Sequence, residues 1–185
     1  MNMNMNMTNT DNRWGLIAQS FHWLMFLLIV GAWFAVETRE DFPKGSPERD
    51  AWMLLHKSLG LSIFFLVWLR IGVRFTQVTP ADIGAGWQQK AAKLIHLGLY
   101  AVMIAMPITG MLASQFFGKP VSWFGVFELP MLVSESKDLG EVLEEVHETG
   151  FIALLVLLTA HVGAALYHHF ILKDDVLKRM LPWGK

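Results

Sequence analysis

HETGFIALLVLLTAHVGAALYHHFIL, residues 147–172, is the stretch from which the rest of the chain is best read. From Thr149 to Leu172 it contains no Asp, Glu, Lys or Arg. At about 1.5 Å of rise per residue, a helical run of this length crosses the hydrocarbon core of a bilayer. Four histidines punctuate it: His147, His161, His168 and His169. His147 and His161 stand 14 residues apart, which is about 21 Å of helix and returns the two side chains to within about 40° of one face. Ionisable or metal-binding groups in a membrane span are costly and mark function, so a single helix here presents two imidazoles at two depths.

Three more spans lie upstream. Gly15 to Val36 is uncharged, Ala51 to Phe75 carries Lys57 and Arg70 near its ends, and Leu94 to Phe117 is uncharged but contains Pro107, which is expected to kink it. Composition agrees with a membrane class: 54% of the 185 residues are hydrophobic and only 17% are charged, against about 25% charged in an average soluble domain. A net charge of −1 excludes the basic footprint of a nucleic-acid binder. The absence of cysteine excludes disulfide frameworks, thiolate metal sites, iron–sulfur clusters and covalent c-type haem attachment. The opening MNMNMNMTNTDN is polar and repetitive, with no apolar core of a signal peptide, so residues 1–12 are expected to be a disordered tail and residues 13–182 one membrane domain.

Four spans put both termini on one side. That side, with the connection between spans two and three, holds nine cations against four acids, net +5; the other side holds six against twelve, net −6. By the positive-inside rule both termini face the cytoplasm. The aromatic stretch VSWFGVFELP, residues 121–130, is too short to span and is expected in the outer interface.

With directions assigned, the histidines form two layers. His56 and His147 share the outer depth, and His22 and His161 the inner one. A lone membrane histidine is ordinarily an interhelical hydrogen-bonding group. Four at matched depths point instead to two haems, each held edge-on between two neutral imidazoles. Gly60, Gly150 and Gly163 follow His56, His147 and His161 closely and would let a macrocycle approach the backbone. His168 is the rival to His161 as the partner of His22, because depth read from sequence is good to about one turn. The leftover His96, His168 and His169 lie toward the cytoplasmic end and are candidate donors to a quinone, although an interfacial histidine is commonly just solvated. Arg13, Lys57, Arg70, Arg74 and Lys93 are candidate propionate partners, with snorkelling or positive-inside charge as the plainer reading. None of the eleven methionines is placed as an axial ligand.

At these positions the chain resembles the bacterial cytochrome b561 family and, more distantly, the cytochrome b subunits of nickel–iron hydrogenase and formate dehydrogenase. The resemblance is carried by RWGLIAQSFHW from Arg13, HKSLG from His56, MPITG from Met106, VSWFGVFELP from Val121, HETG from His147, and HVGAALYHHFILKDDVLKRMLP from His161. It implies an all-α, integral membrane four-helix bundle binding two non-covalent b-type haems at His22, His56, His147 and His161. It further implies residence in the bacterial inner membrane, ubiquinone as electron acceptor and, for stand-alone members, oxidation of periplasmic superoxide. Superoxide is an anion, and Arg39, Lys44, Arg49 and Lys57 form the outer patch expected to steer it, with Lys57 nearest the ligands. The competing readings are an electron-transfer subunit docking a separate membrane dehydrogenase, and a haem-free transporter or channel, which a colourless preparation would reveal.

Overall fold

The computed structural model describes residues 6–183. Four helices dominate: α1 (Leu16–Thr38), α2 (Pro47–Thr76), α3 (Gly86–Phe116) and α4 (Lys137–Tyr167). Each is long and apolar enough to cross a membrane. The chain is therefore an all-α membrane protein of four spans, as its sequence predicts. α2, α3 and α4 begin before the apolar stretches, with polar residues in their first turns. Ser46 caps α2 by accepting from the Arg49 amide at 3.2 Å, with Pro47 in its first turn. α4 begins ten residues before His147, so that histidine lies nearly three turns inside the helix rather than at its start. Pro107 sits within a continuous α3.

The helices associate as two hairpins. α1 packs chiefly on α2 and α3 on α4, while α2 and α3 join the pairs. Met25 and Ala32 of α1 with Ile63 and Val67 of α2 form the buried cluster, and Tyr100, Met103 and Ile104 of α3 pack against it. By contrast α4 has no extended backbone contact with α1 or α2 among the described residues. Leu154 and Gly140 are the buried residues of its 31-residue length.

At the end opposite the termini, residues 122–128 form a small hairpin of β1 (Ser122–Trp123) and β2 (Phe127–Glu128). Its turn holds Phe124 and Gly125 at positive φ, 49° and 72°, the geometry of the tight turns that suit twisted hairpins. The hairpin docks on α2: the Phe124 amide and Trp123 Nε1 donate to the hydroxyls of Ser58 (2.8 Å) and Ser62 (3.1 Å). Buried Gln115 pins the following loop, donating to Pro130 O and accepting from the Leu132 amide. The stretch expected to rest in the interface is thus a docked cap on α2.

At the other end, one π-helical turn (His168–Leu172) extends α4, and Lys173 at φ 56° reverses the chain. The C-terminal segment then crosses the start of α1. Four successive carbonyls accept from side chains there: Arg179 O from Gln19, Met180 O from Trp23, and Leu181 O and Pro182 O from Arg13. Of the tail expected to be disordered, residues 1–5 lie outside the described residues. Residues 6–12 make hydrogen bonds to the rest of the chain. Asn9 bonds Gly15, Gln77 and Val78, and Asp11 O accepts from the Ala81 amide at 2.8 Å. The polar side chains that suggest disorder are the ones that satisfy the exposed backbone of the α1 start and the α2–α3 connection.

Candidate functional site

The four depth-matched histidines meet in two pairs. The rings of His56 and His147 have centroids 6.1 Å apart, and those of His22 and His161 are 6.0 Å apart. Two imidazoles on one metal at metal–nitrogen distances of about 2 Å have ring centres roughly 6 Å apart, so both pairs have ligating spacing. In each pair one ring comes from the α1–α2 hairpin and the other from α4, the two parts of the bundle whose backbones do not pack together. A planar group between such rings would lie where the protein leaves room for it. Gly60 and Gly163 support this, since a Cβ on either meets nothing within 4 Å. Gly150 does not, because a Cβ there would press on the Met106 side chain.

The His56–His147 pair is set up with one tautomer. His56 Nδ1 lies 2.8 Å from Ala32 O, and His147 Nδ1 lies 2.9 Å from Met106 O. A carbonyl only accepts, so each Nδ1 carries its proton and each Nε2 keeps a lone pair for a metal. The MPITG motif supplies more than that carbonyl: a Cβ on Gly110 would fall 2.8 Å from His147 Cε1, so only glycine gives the ring its place. The inner pair is arranged differently. Arg70 Nη2 approaches His22 Nδ1 at 3.4 Å, its guanidinium also lies over the Tyr100 ring at 5.7 Å, and His161 packs against His96 with centroids 5.3 Å apart. His168, the rival partner for His22, is instead turned away onto Asp174.

The cationic candidates are distributed otherwise than expected. Lys57 donates to Ser114 Oγ at 2.6 Å and reaches Pro120 O at 3.4 Å, bracing α2 against the end of α3. Arg49 makes a two-pronged bond to Glu40 and also donates to two carbonyls, while Arg39 pairs with the same Glu40. Of the outer patch, Lys44 has no hydrogen bond or ion pair among the described residues. Arg13 holds the C-terminal segment, Arg74 lies over Trp14 at 5.6 Å, and Lys93 pairs with Asp82 at 2.8 Å. Arg70 is the cation the structure brings beside a paired histidine.

A cavity of about 420 Å³ opens at the end bearing the termini, between the start of α3 and the end of α4. It touches His161 but not His22, so it lies beside the inner pair rather than between its rings. His96 and His168 line it, with Arg179 of the C-terminal segment; His169 does not. His169 instead meets Phe170 edge-on, its Nδ1 buried without a hydrogen bond.

The sequence pattern of the prokaryotic cytochrome b561 family matches residues 13–183, nearly the whole chain. The chain belongs to this family. Among its relatives is cytochrome b561 homolog 1 of Escherichia coli, 32% identical over 94% of this chain and 99% of that one. Cytochrome b561 homolog 2 of the same organism is 33% identical over 96% and 95%. A protein of Yersinia pestis described as probable superoxide oxidase CybB is 31% identical over 87% and 91%. Membership makes the chain a multi-pass bacterial membrane protein of electron transport with b-type haem. The paired histidines fit that cofactor in spacing, in the outer tautomers and in the room left around Gly60 and Gly163.

Proposed function

We propose that residues 13–182 form one electron-transfer unit holding two b-type haems, the outer one at His56 and His147 and the inner one at His22 and His161. The observation that carries this reading is the ring spacing, 6.1 and 6.0 Å in two layers. When bound, haem supplies one-electron chemistry, and two layers about 21 Å apart along α4 give electrons a way across the membrane. The protein holds each imidazole neutral and oriented, Ala32 O and Met106 O doing so on the outer side. Both termini face the cytoplasm in this reading, and ubiquinone is the acceptor in the 420 Å³ cavity beside the inner pair. Superoxide is the proposed outer reductant, supported by the description of the Yersinia pestis relative.

A second reading has an observation in its favour. Arg39, Arg49 and Lys57 are all engaged in structural bonds, and the outer side is net acidic, which suits docking of a dehydrogenase partner better than attraction of an anion. Stopped-flow mixing of the haem-loaded protein with superoxide separates the two. Reduction well above that of a haem-free control, with electrons passed on to a ubiquinone analogue, is the expected result. No such reduction at normal haem content leaves the dehydrogenase reading.

A further inference from the structure

The two histidine pairs differ in what faces their Nδ1 atoms, and that difference bears on which way an electron moves between them. His56 and His147 each donate from Nδ1 to a backbone carbonyl, at 2.8 and 2.9 Å. At His22 the neighbour is a donor instead, since Arg70 Nη2 lies 3.4 Å from Nδ1. His161 has no hydrogen bond among the described residues, its ring resting beside those of His22 and His96.

Arg70 does not reach along its helix toward an interface. It stands on α2 six residues before the last one, Thr76, and its guanidinium crosses the bundle. One nitrogen approaches buried Met25 and another His22, both on α1, while the Tyr100 ring of α3 lies 5.7 Å away. An aromatic face at that distance attracts and holds a cation. Among the described residues no carboxylate pairs with Arg70. Other cations at this end are engaged elsewhere: Arg13 by the C-terminal carbonyls, Arg74 by Trp14 and Lys93 by Asp82. Lys57 follows His56 directly in sequence, but its ammonium is bonded to Ser114 Oγ and Pro120 O.

An imidazole bound to a metal through Nε2 carries its proton on Nδ1. A carbonyl that accepts from that N–H makes the ring a stronger electron donor and favours the oxidised metal. A guanidinium only donates, so beside the same N–H it brings positive charge and no acceptor. Reduction adds one negative charge to the site, and a fixed cation within a poorly screened span favours that state.

We propose that Arg70 makes the His22–His161 site the better electron acceptor of the two, so that its charge gives the membrane-crossing step its direction. The inference rests on the two-haem reading above. One electron leaves the His56–His147 site, which is oxidised, and arrives at the His22–His161 site, which is reduced; no bond or proton changes place. Arg70 is a positioning residue, acting through the His22 ring and touching neither reductant nor final acceptor. Tyr100 keeps the guanidinium where it acts.

The test is a potentiometric titration of the full-length, haem-loaded protein in liposomes, comparing wild type with Arg70→Gln, Arg70→Lys and Tyr100→Leu at measured haem content. His147→Ala, expected to hold the inner haem alone, assigns the two waves. In wild type the inner wave should stand at the higher potential. Arg70→Gln should lower it by the equivalent of about tenfold in the electron distribution between the sites, about 59 mV for one electron, without moving the outer wave. Arg70→Lys keeps the charge and should retain most of the difference, and Tyr100→Leu should shift the inner wave the same way by less. Three results overturn the role of Arg70 while leaving two haems per chain standing: an inner wave below the outer one in wild type, an inner wave unmoved by Arg70→Gln, or an equal fall in Arg70→Gln and Arg70→Lys. Should Arg70→Gln fail to hold the inner haem, an unmoved inner wave in Tyr100→Leu has the same force. One haem per wild-type chain removes the two-haem reading and the proposal together.

Discussion

A glycine and two carbonyls decide the outer site as much as its two histidines do. His147 is oriented by Met106 O and occupies space that a side chain at 110 would take. Gly110→Val should therefore displace the ring and lower the haem-to-protein ratio from two toward one, measured by haem extraction, with the inner haem's spectrum retained. Single alanine variants should fall into two spectral groups, His56 with His147 and His22 with His161, whereas His168→Ala should keep both haems. Loss of the inner haem in His168→Ala with retention in His161→Ala would reverse the inner assignment. The histidines were legible because a 14-residue spacing and depth within a span are properties of one helix. Gly110 was not, because its role depends on how α3 is rotated against α4. The contact made by Lys57 was hidden for a related reason: nothing local to HKSLG says that the hydroxyl of Ser114, 57 positions on, is within 2.6 Å.

The elements are held at their ends by contacts that hydropathy does not register. The C-terminal segment mixes apolar and charged residues, and its carbonyls 179–182 are met one after another by Gln19, Trp23 and Arg13. Trp23 adjoins His22, so the segment braces the inner site. Removing a donor from a part-buried carbonyl costs about 1–3 kcal/mol. Trp23→Phe should thus lower thermal stability on that scale, with the inner haem's absorbance lost at a lower temperature than the outer's. Ser58→Ala tests the opposite end, because it strips the Phe124 amide of its acceptor. It should expose the hairpin to proteolysis without altering haem content. The four spans themselves were readable from apolar runs. The tethering of residues 6–12 and the docking of the hairpin were not, since both rest on polar side chains meeting backbone groups far away in sequence.

Across the whole molecule, charge is divided between the two ends, net +5 with the termini and net −6 opposite. Reporter fusions at Lys185 and in the connection near Gly45 should accordingly show opposite sides, with Lys185 cytoplasmic. Matching locations would sink the two-layer arrangement. The acidic end opposite the termini also sets the sign of a salt effect. With Arg39 and Arg49 both drawn onto Glu40 and the whole end net acidic, an anionic reductant meets net repulsion, so its rate should rise with ionic strength as the field is screened. A rate that falls with added salt would show that a local cationic patch governs the encounter, as the sequence alone suggests.

The sparse packing between α4 and the first hairpin bears on how the protein is made. Each half is a helical hairpin with its own interhelical contacts, so each can enter the bilayer as a finished unit. The seam between them is bridged by imidazoles facing one another in pairs. Cofactor capture would then fasten α4 to the first hairpin, while α2 and α3 already join the two halves without it. Protein made during haem starvation should accumulate inserted in the membrane, and haem supplied afterwards should convert it to the mature form.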